Sequence, residues 1–372
     1  MLDNIYKVND SVEIFTWDDS SRGSVCIQFY KINTRERFMI ESSFQVVKFL
    51  SYLDGKKSLK EIAVLYNFDQ ESIVDFVKFL LSKGLIRIAN DNNNKNERFI
   101  RQIAYFDDLI AGHTGETSQK ILESKKIVIF GLGSVGSSLA IIFARMGIKN
   151  LIFVDYKRLE ESHIIKHFYC NKCNINEFKN EALKSYLLEI NNSLNIQTFN
   201  KKLVPNSNLY EYIPEDTDIV INTADEPYIG HTSIKIGRYC WDKNIAFYVG
   251  GGFDAHSMST GEIIIPGVTP CIDCYCNSFQ VALKNYKPTY ITKTIDDTQN
   301  NIIIGGPGSI SACSLFSASF AAIRIIYYLL GINNDDCNMT NRGEYILNKG
   351  IINWVKLGSY RKPTCKVCNK NQ

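Results

Sequence analysis

Residues 127–136 read IVIFGLGSVG, an apolar run that enters a GxGxxG pattern at Gly131, Gly133 and Gly136. A strand that turns on glycines and leaves as a helix aims backbone N–H groups and the positive end of the helix dipole at one point, which suits a phosphate. In this arrangement Gly131 permits the tight turn, Gly133 lets the backbone approach a ligand, and Gly136 lets the helix pack on the strand. The next apolar run, NLIFVD, ends in Asp155, 24 positions after Gly131, where a carboxylate suits a ribose hydroxyl. A glycine turn that only permits close packing is the competing reading. If a nucleotide binds, two chemistries stay open: hydride transfer with a dinucleotide, and adenylyl transfer from ATP.

Four cysteines supply a second kind of chemistry. CIDC places thiols at Cys271 and Cys274, and CKVC places them at Cys365 and Cys368. Two such knuckles match a closed tetrahedral zinc site, which leaves no open position for substrate and so acts as a staple. About ninety residues separate the knuckles, so the pairing rests on their local spacing. Cys170 and Cys173 repeat that spacing without a partner pair and are read as incidental. Eleven cysteines in a reducing compartment argue for metal rather than a disulfide scaffold.

These residues need elements to position them, and 372 residues, 45% hydrophobic, suffice for two or three cored domains. The net charge of +3, with no basic tract, argues against nucleic acid. The start lacks the pattern of a secretory signal, so a cytoplasmic location is expected. The apolar stretch 311–331 carries four serines and Arg324 and is read as a buried helix rather than a membrane span. Over 11–30 apolar and polar residues alternate as in strands, with a turn near 18–23. Three segments of helical spacing follow, with Ser58 and Asp69 as N-caps, and LIRIA closes the unit as a strand. This predicts a small winged-helix-like α+β domain over 1–90 and an asparagine-rich linker over 91–97. Over 98–372 strand and helix patterns alternate: KIVIF, NLIFVD, DIVINT and AFYVGG with helices between them, implying an α/β domain whose mostly parallel, Rossmann-like sheet carries helices on both faces.

Two resemblances add to this reading. LDGKKSLKEIAVLYN followed by ESIVDFVKFLLSKGLI resembles PqqD-like peptide-recognition domains, which implies a precursor or leader peptide added as a strand to a sheet edge. A DNA-binding winged helix competes, but its recognition helix over 69–83 would offer only Lys78 and Lys83 against Asp69, Glu71 and Asp75. RFIRQIAYF, GLGSVG, Asp155, Lys179 in EFKNEALKS, Asp225 in TAD and the two knuckles resemble the ubiquitin-activating-enzyme-like family that includes ThiF and MoeB. That resemblance implies a carboxylate attacking the α-phosphate of ATP. Asp155 would hold the ribose, Lys179 would contact the phosphates, and Asp225 would bind Mg²⁺. Arg101 would reach the triphosphate of a neighbouring subunit, making the enzyme a homodimer. With a peptide-binding domain in front, the substrate would be a ribosomally made peptide, activated at its carboxyl end.

The chain departs from the family pattern after Asp155. There Lys157, His163, Lys166 and His167 stand where the family places an acid, an asparagine, an arginine and a glutamine. Lys166 keeps the arginine's charge for cofactor binding but not its planar two-point grip; His163 either replaces the asparagine as a donor or packs. Cys276 and Cys313 are the candidates for a thioester, and residues 277–301 lie where the family has a crossover loop. Two other functions remain open: a catalytically silent leader-binding partner of a YcaO-type cyclodehydratase, and an activating enzyme for a sulfur-carrier protein.

Overall fold

In the computed structural model the described residues are 1–19, 24–89, 97–109, 114–225, 229–250, 258–282, 310–332, 341–356, 362 and 364–368. The chain forms two compact units, Met1–Ile121 and Leu122–Gln372.

The first unit begins with β1 (Ile5–Val8), β2 (Val12–Asp19), β3 (Ser24–Lys31) and β4 (Arg37–Ser42), followed by α1 (Phe44–Ser51), β5 (Asp54–Ser58), α2 (Leu59–Tyr66), α3 (Gln70–Ser82) and β6 (Ile86–Ile88). The strands form two antiparallel sheets, β2-β3-β4 and β5-β1-β6. Alternation drives the first: Val25, Ile27 and Phe29 face a core completed by Phe49, Leu59, Ile73, Val77 and Leu80. Both expected N-caps form. Ser58 and Glu61 make a reciprocal capping box, and Asp69 accepts the Ser72 N–H at 2.8 Å. β1, β4 and β5 are additions to the expected pattern; DGKKS in β5 has no apolar alternation to announce it. Beyond β6 this unit continues into α4 (Ile100–Leu109) and α5 (Gly115–Ser124), and its boundary falls at Ile121 rather than at the expected linker, of which 91–96 lie outside the described residues.

The second unit holds β7 (Lys126–Phe130), α6 (Ser134–Arg145), β8 (Asn150–Val154), α7 (Lys179–Ile190), β9 (Asn195–Phe199), β10 (Ile219–Asn222), α8 (Ile229–Asp242), β11 (Ala246–Val249) and β12 (Glu262–Ile264). After these come α9 (Ile272–Ala282), α10 (Ser311–Leu329), β13 (Asn341–Ile346) and β14 (Ile351–Lys356). Six strands form one sheet in the order β12-β11-β10-β7-β8-β9; all neighbours are parallel except β11 and β12. Near-continuous apolar strands such as KIVIF are buried on both faces, as a helix-covered parallel sheet requires. On one face Val128, Phe130 and Phe247 pack with Ile236 and Cys240 of α8 and Ile272 of α9. α10 packs against α6 and is long and apolar enough to cross a membrane, yet it buries Arg324, whose Nη1 donates to the Gly261 carbonyl at 2.7 Å. It is a core helix, as its serines and arginine predict.

Candidate functional site

Sheet order reverses between β7 and β10, so the connections leaving their C-terminal ends diverge and open a crevice. Its lining comes from Gly131 and Gly133 after β7, Val154 and residues 155–157 at the end of β8, Lys179 at the start of α7, residues 201–203 after β9 and 223–225 after β10.

The glycines are required by the backbone around them. Gly131 has φ +81°, and a Cβ there would lie 2.6 Å from the Ala224 nitrogen. A Cβ at Gly136 would fall 2.1 Å from the Gly131 oxygen and 2.5 Å from Thr223 Oγ1, so this glycine seats α6 against the turn and the end of β10. Thr223 Oγ1 donates to the Gly131 carbonyl at 2.6 Å and closes the same contact. Asp155 accepts the N–H groups of Leu132 at 2.7 Å and Lys157 at 2.8 Å, one on each carboxylate oxygen. It therefore braces the glycine turn while keeping a lone pair on each oxygen for a hydroxyl.

Lys179 opens α7 and is 5% exposed. Its backbone N–H donates to the Lys157 carbonyl at 3.0 Å. Burial holds its ammonium below the ordinary lysine pKa, with the Asp155 carboxylate opposing. Among the described residues its Nζ has no hydrogen-bond or ion-pair partner, so a cation is presented to the cleft at a helix N-terminus. Asn222 fixes the opposite wall: its amide donates to Thr232 Oγ1 and Ser233 Oγ, both at 2.9 Å, and its carbonyl accepts the Ala224 N–H at 3.1 Å. Asp225 follows that latch and is exposed at the cleft.

Lys166 is half-buried and is not among the lining residues. His163 uses Nδ1 to accept the Glu160 N–H at 2.8 Å, so it caps its own turn. The His167 ring lies against it with the planes tilted by 58°; it is 3% exposed, neither ring nitrogen is partnered among the described residues, and burial lowers its pKa to about 3. Arg101 is exposed on α4, in the first unit, and is not part of the lining. Lys201, Lys202 and Thr223 are cleft residues that sequence reasoning missed: the lysines follow β9 in a polar run with no periodicity.

Far away in sequence, the four knuckle thiols converge. All four Sγ atoms lie within 4.8 Å of one another, with Cys271 and Cys365 at 3.5 Å and Cys274 and Cys368 at 3.8 Å. Tetrahedral Zn–S bonds of ~2.3 Å put ligands ~3.8 Å apart, so the donor set fits one zinc ion. Cys170, buried, and Cys173, exposed, join no such group among the described residues. Burial pushes the Cys276 thiol up to about 12, which disfavours its thiolate. Cys313 is buried on α10. Of the crossover segment, residues 283–301 lie outside the described residues.

The ThiF family matches residues 105–367. The molybdopterin-synthase adenylyltransferase of Haemophilus influenzae is 30% identical over 139 residues, 37% of this chain and 55% of that protein. The adenylyltransferase and sulfurtransferase MOCS3 of Aedes aegypti is 28% identical over 134 residues, 36% of this chain and 29% of that protein. The chain thus spans well under two thirds of either relative. The vegetative protein HesA of Trichormus variabilis is 22% identical over 289 residues, 76% of this chain and 92% of that protein. Among solved structures, E. coli MccB with ATP superposes with a TM-score of 0.72 at 18% identity, covering 98% of this chain and 99% of that one. MccB with AMPCPP and MccA gives 0.71 at 17% identity, with the same coverage. At these identities the likeness is one of fold.

Proposed function

The chain belongs to the ThiF family, and from that premise we propose that it is an ATP-dependent adenylyltransferase that activates the carboxyl end of a ribosomally made peptide. The observation that carries the reading is Lys179: a buried ammonium beside Asp155, facing the glycine turn, with no protein anion bonded to it. A triphosphate supplies that anion. In the reaction a carboxylate oxygen bonds to the α-phosphorus and the bond to pyrophosphate breaks, giving an acyl adenylate. Attack of one anion on another needs charge neutralisation and alignment more than covalent help. Asp155 would hold the ribose, Lys179 the phosphates, and Asp225 a Mg²⁺ ion, which supplies further charge neutralisation when bound. The Cys271, Cys274, Cys365 and Cys368 thiolates would hold zinc as a staple.

The first unit would take the peptide, and Arg101 on α4 would serve the nucleotide of a second copy, so the working form would be a homodimer in the cytoplasm. MccB has been crystallised with the peptide MccA, which supports a peptide substrate for a chain of this fold. Two alternatives keep a specific observation each. The altered HIIKH run, His163 to His167, favours a silent leader-binding partner, and the molybdopterin-synthase relative favours sulfur-carrier activation.

Incubating the protein with candidate precursor peptides, ATP and Mg²⁺ should release pyrophosphate and add one nucleotide mass to a peptide. Peptide binding without pyrophosphate would select the silent partner. Activation of a small protein ending in two glycines, with peptides inert, would select the sulfur-carrier reading.

A further inference from the structure

The first knuckle is CIDC, so Ile272 and Asp273 are the residues between the thiols of Cys271 and Cys274. Consecutive residues of α8 hold both of them. Gly237 allows the close approach: a Cβ there would lie 2.9 Å from the Ile272 Cβ and 3.0 Å from the Phe247 ring. That approach sets Arg238 against Asp273, in the first turn of α9. Arg238 Nε donates to both carboxylate oxygens at 3.1 Å, and its Nη2 donates to Oδ1 as well. A planar guanidinium that grips a carboxylate in this way fixes its orientation as well as its distance. Ile272 is fully buried, so packing clamps one middle residue of the knuckle and charge clamps the other. Cys271 and Cys274 are themselves buried, whereas Cys365 and Cys368 are half-buried, so the first knuckle is the better enclosed half of the site.

We propose that Arg238 is a positioning residue for the zinc site: by fixing Asp273 it holds the Cys271 and Cys274 thiolates in ligand geometry. The inference rests on the zinc reading above. Metal ligands keep their orientation when contacts outside the ligand set fix the chain that carries them. Charge points the same way. Four thiolates around a divalent ion leave a net negative charge, Asp273 adds to it, and the Arg238 guanidinium, also in electrostatic reach of Cys271, offsets it. The Arg238 side chain is 56% exposed, and an ion pair so open to solvent contributes little to global stability. Its effect should therefore appear in how tightly zinc is held rather than in whether the chain folds.

The test is competition for zinc between the full-length, zinc-loaded protein and a chromogenic chelator. Arg238→Gln and Asp273→Asn should each weaken zinc binding about 10-fold. The double variant should also lose about 10-fold rather than about 100-fold, because both changes break one contact. Arg238→Lys, which keeps the charge without the fork, should recover only part of the loss. Lys243→Met breaks the Lys243–Glu215 pair just beyond α8 and should hold zinc as the wild type does. Matching circular dichroism spectra exclude misfolding as the cause. The proposal falls if Arg238→Gln holds zinc like the wild type, or if the two single losses add in the double variant. It falls also if Lys243→Met loosens zinc equally, because the effect then belongs to the stability of α8 in general. A wild-type protein that takes up no zinc overturns the zinc reading as well, whereas tight zinc binding in every variant overturns this inference alone.

Discussion

Two of the long cations buried in the second unit stand in opposite circumstances. Arg342 on β13 is 1% exposed; its Nη1 donates to Glu262 at 2.8 Å, and its Nε donates to Glu344 at 3.1 Å. Lys179 on α7 is 5% exposed and has Asp155 and Asp225 in electrostatic reach, yet its Nζ bonds to neither. The arginine is finished by the protein, and tying β12 to β13 is what it does. The lysine is left for something the protein does not contain. Burial alone therefore distinguishes nothing; the partner does, and a buried cation lacking one in a cleft marks a candidate place for a ligand.

Removing the finished cation should have the largest effect. Arg342→Met strands the Glu262 carboxylate, 0% exposed, whose pKa burial already raises despite the guanidinium. Unfolding in urea should show a loss of about 3–5 kcal/mol. Glu262→Met combined with Arg342→Met should regain most of it, because no fully buried carboxylate is then stranded, Glu344 being partly exposed. A single variant as stable as the wild type would put both cations in one class.

The unfinished cation should behave in reverse. Lys179→Ala removes a desolvated charge, so stability should hold within about 1 kcal/mol or rise, while pyrophosphate release with peptide falls about 100-fold or more. Peptide affinity should be unchanged. Mixing this variant with Arg101→Ala should restore part of the activity if each subunit's arginine serves its neighbour. Stability loss without activity loss would make Lys179 a second Arg342.

How much of this contrast could be read from the sequence depends on how local the cause is. The glycine turn, Asp155 and strands β7, β8, β10 and β11 were legible because each is specified within a dozen residues by apolar runs and turn chemistry. The knuckles were legible across about ninety residues because thiol spacing is a strong chemical signal by itself. Glu262 and Arg342 carry no such signal: a single acid and a single base 80 positions apart look like surface charges until β12 and β13 are brought together. Lys201 and Lys202 were hidden for the same reason, since only the sheet order puts the end of β9 beside Asp155. In the first unit, β5 escaped because DGKKS owes its strand geometry to pairing with β1 rather than to its own residues.

The smallest expected effect tests a third buried base, one that needs neither a protein partner nor a ligand. His167 is enclosed by His163, Tyr169 and the positive charges of Lys179 and Lys166, and its folded pKa is lowered to about 3. Above pH ~6.5 the imidazole is neutral both folded and unfolded, and contributes no pH dependence. Below that value the unfolded chain takes up a proton that the folded chain refuses, so stability falls as pH drops toward 3, by about 1.4 kcal/mol per pH unit. Between pH 7 and pH 5 this residue should account for a loss of about 2 kcal/mol. His167→Phe fills similar space, needs no hydrogen bonds, and should be at least as stable at pH 7. Urea midpoints at the two pH values should therefore converge in the variant relative to the wild type. If the pH 5 loss is the same with phenylalanine in place, the ring is protonated in the fold, and His167 has a partner after all.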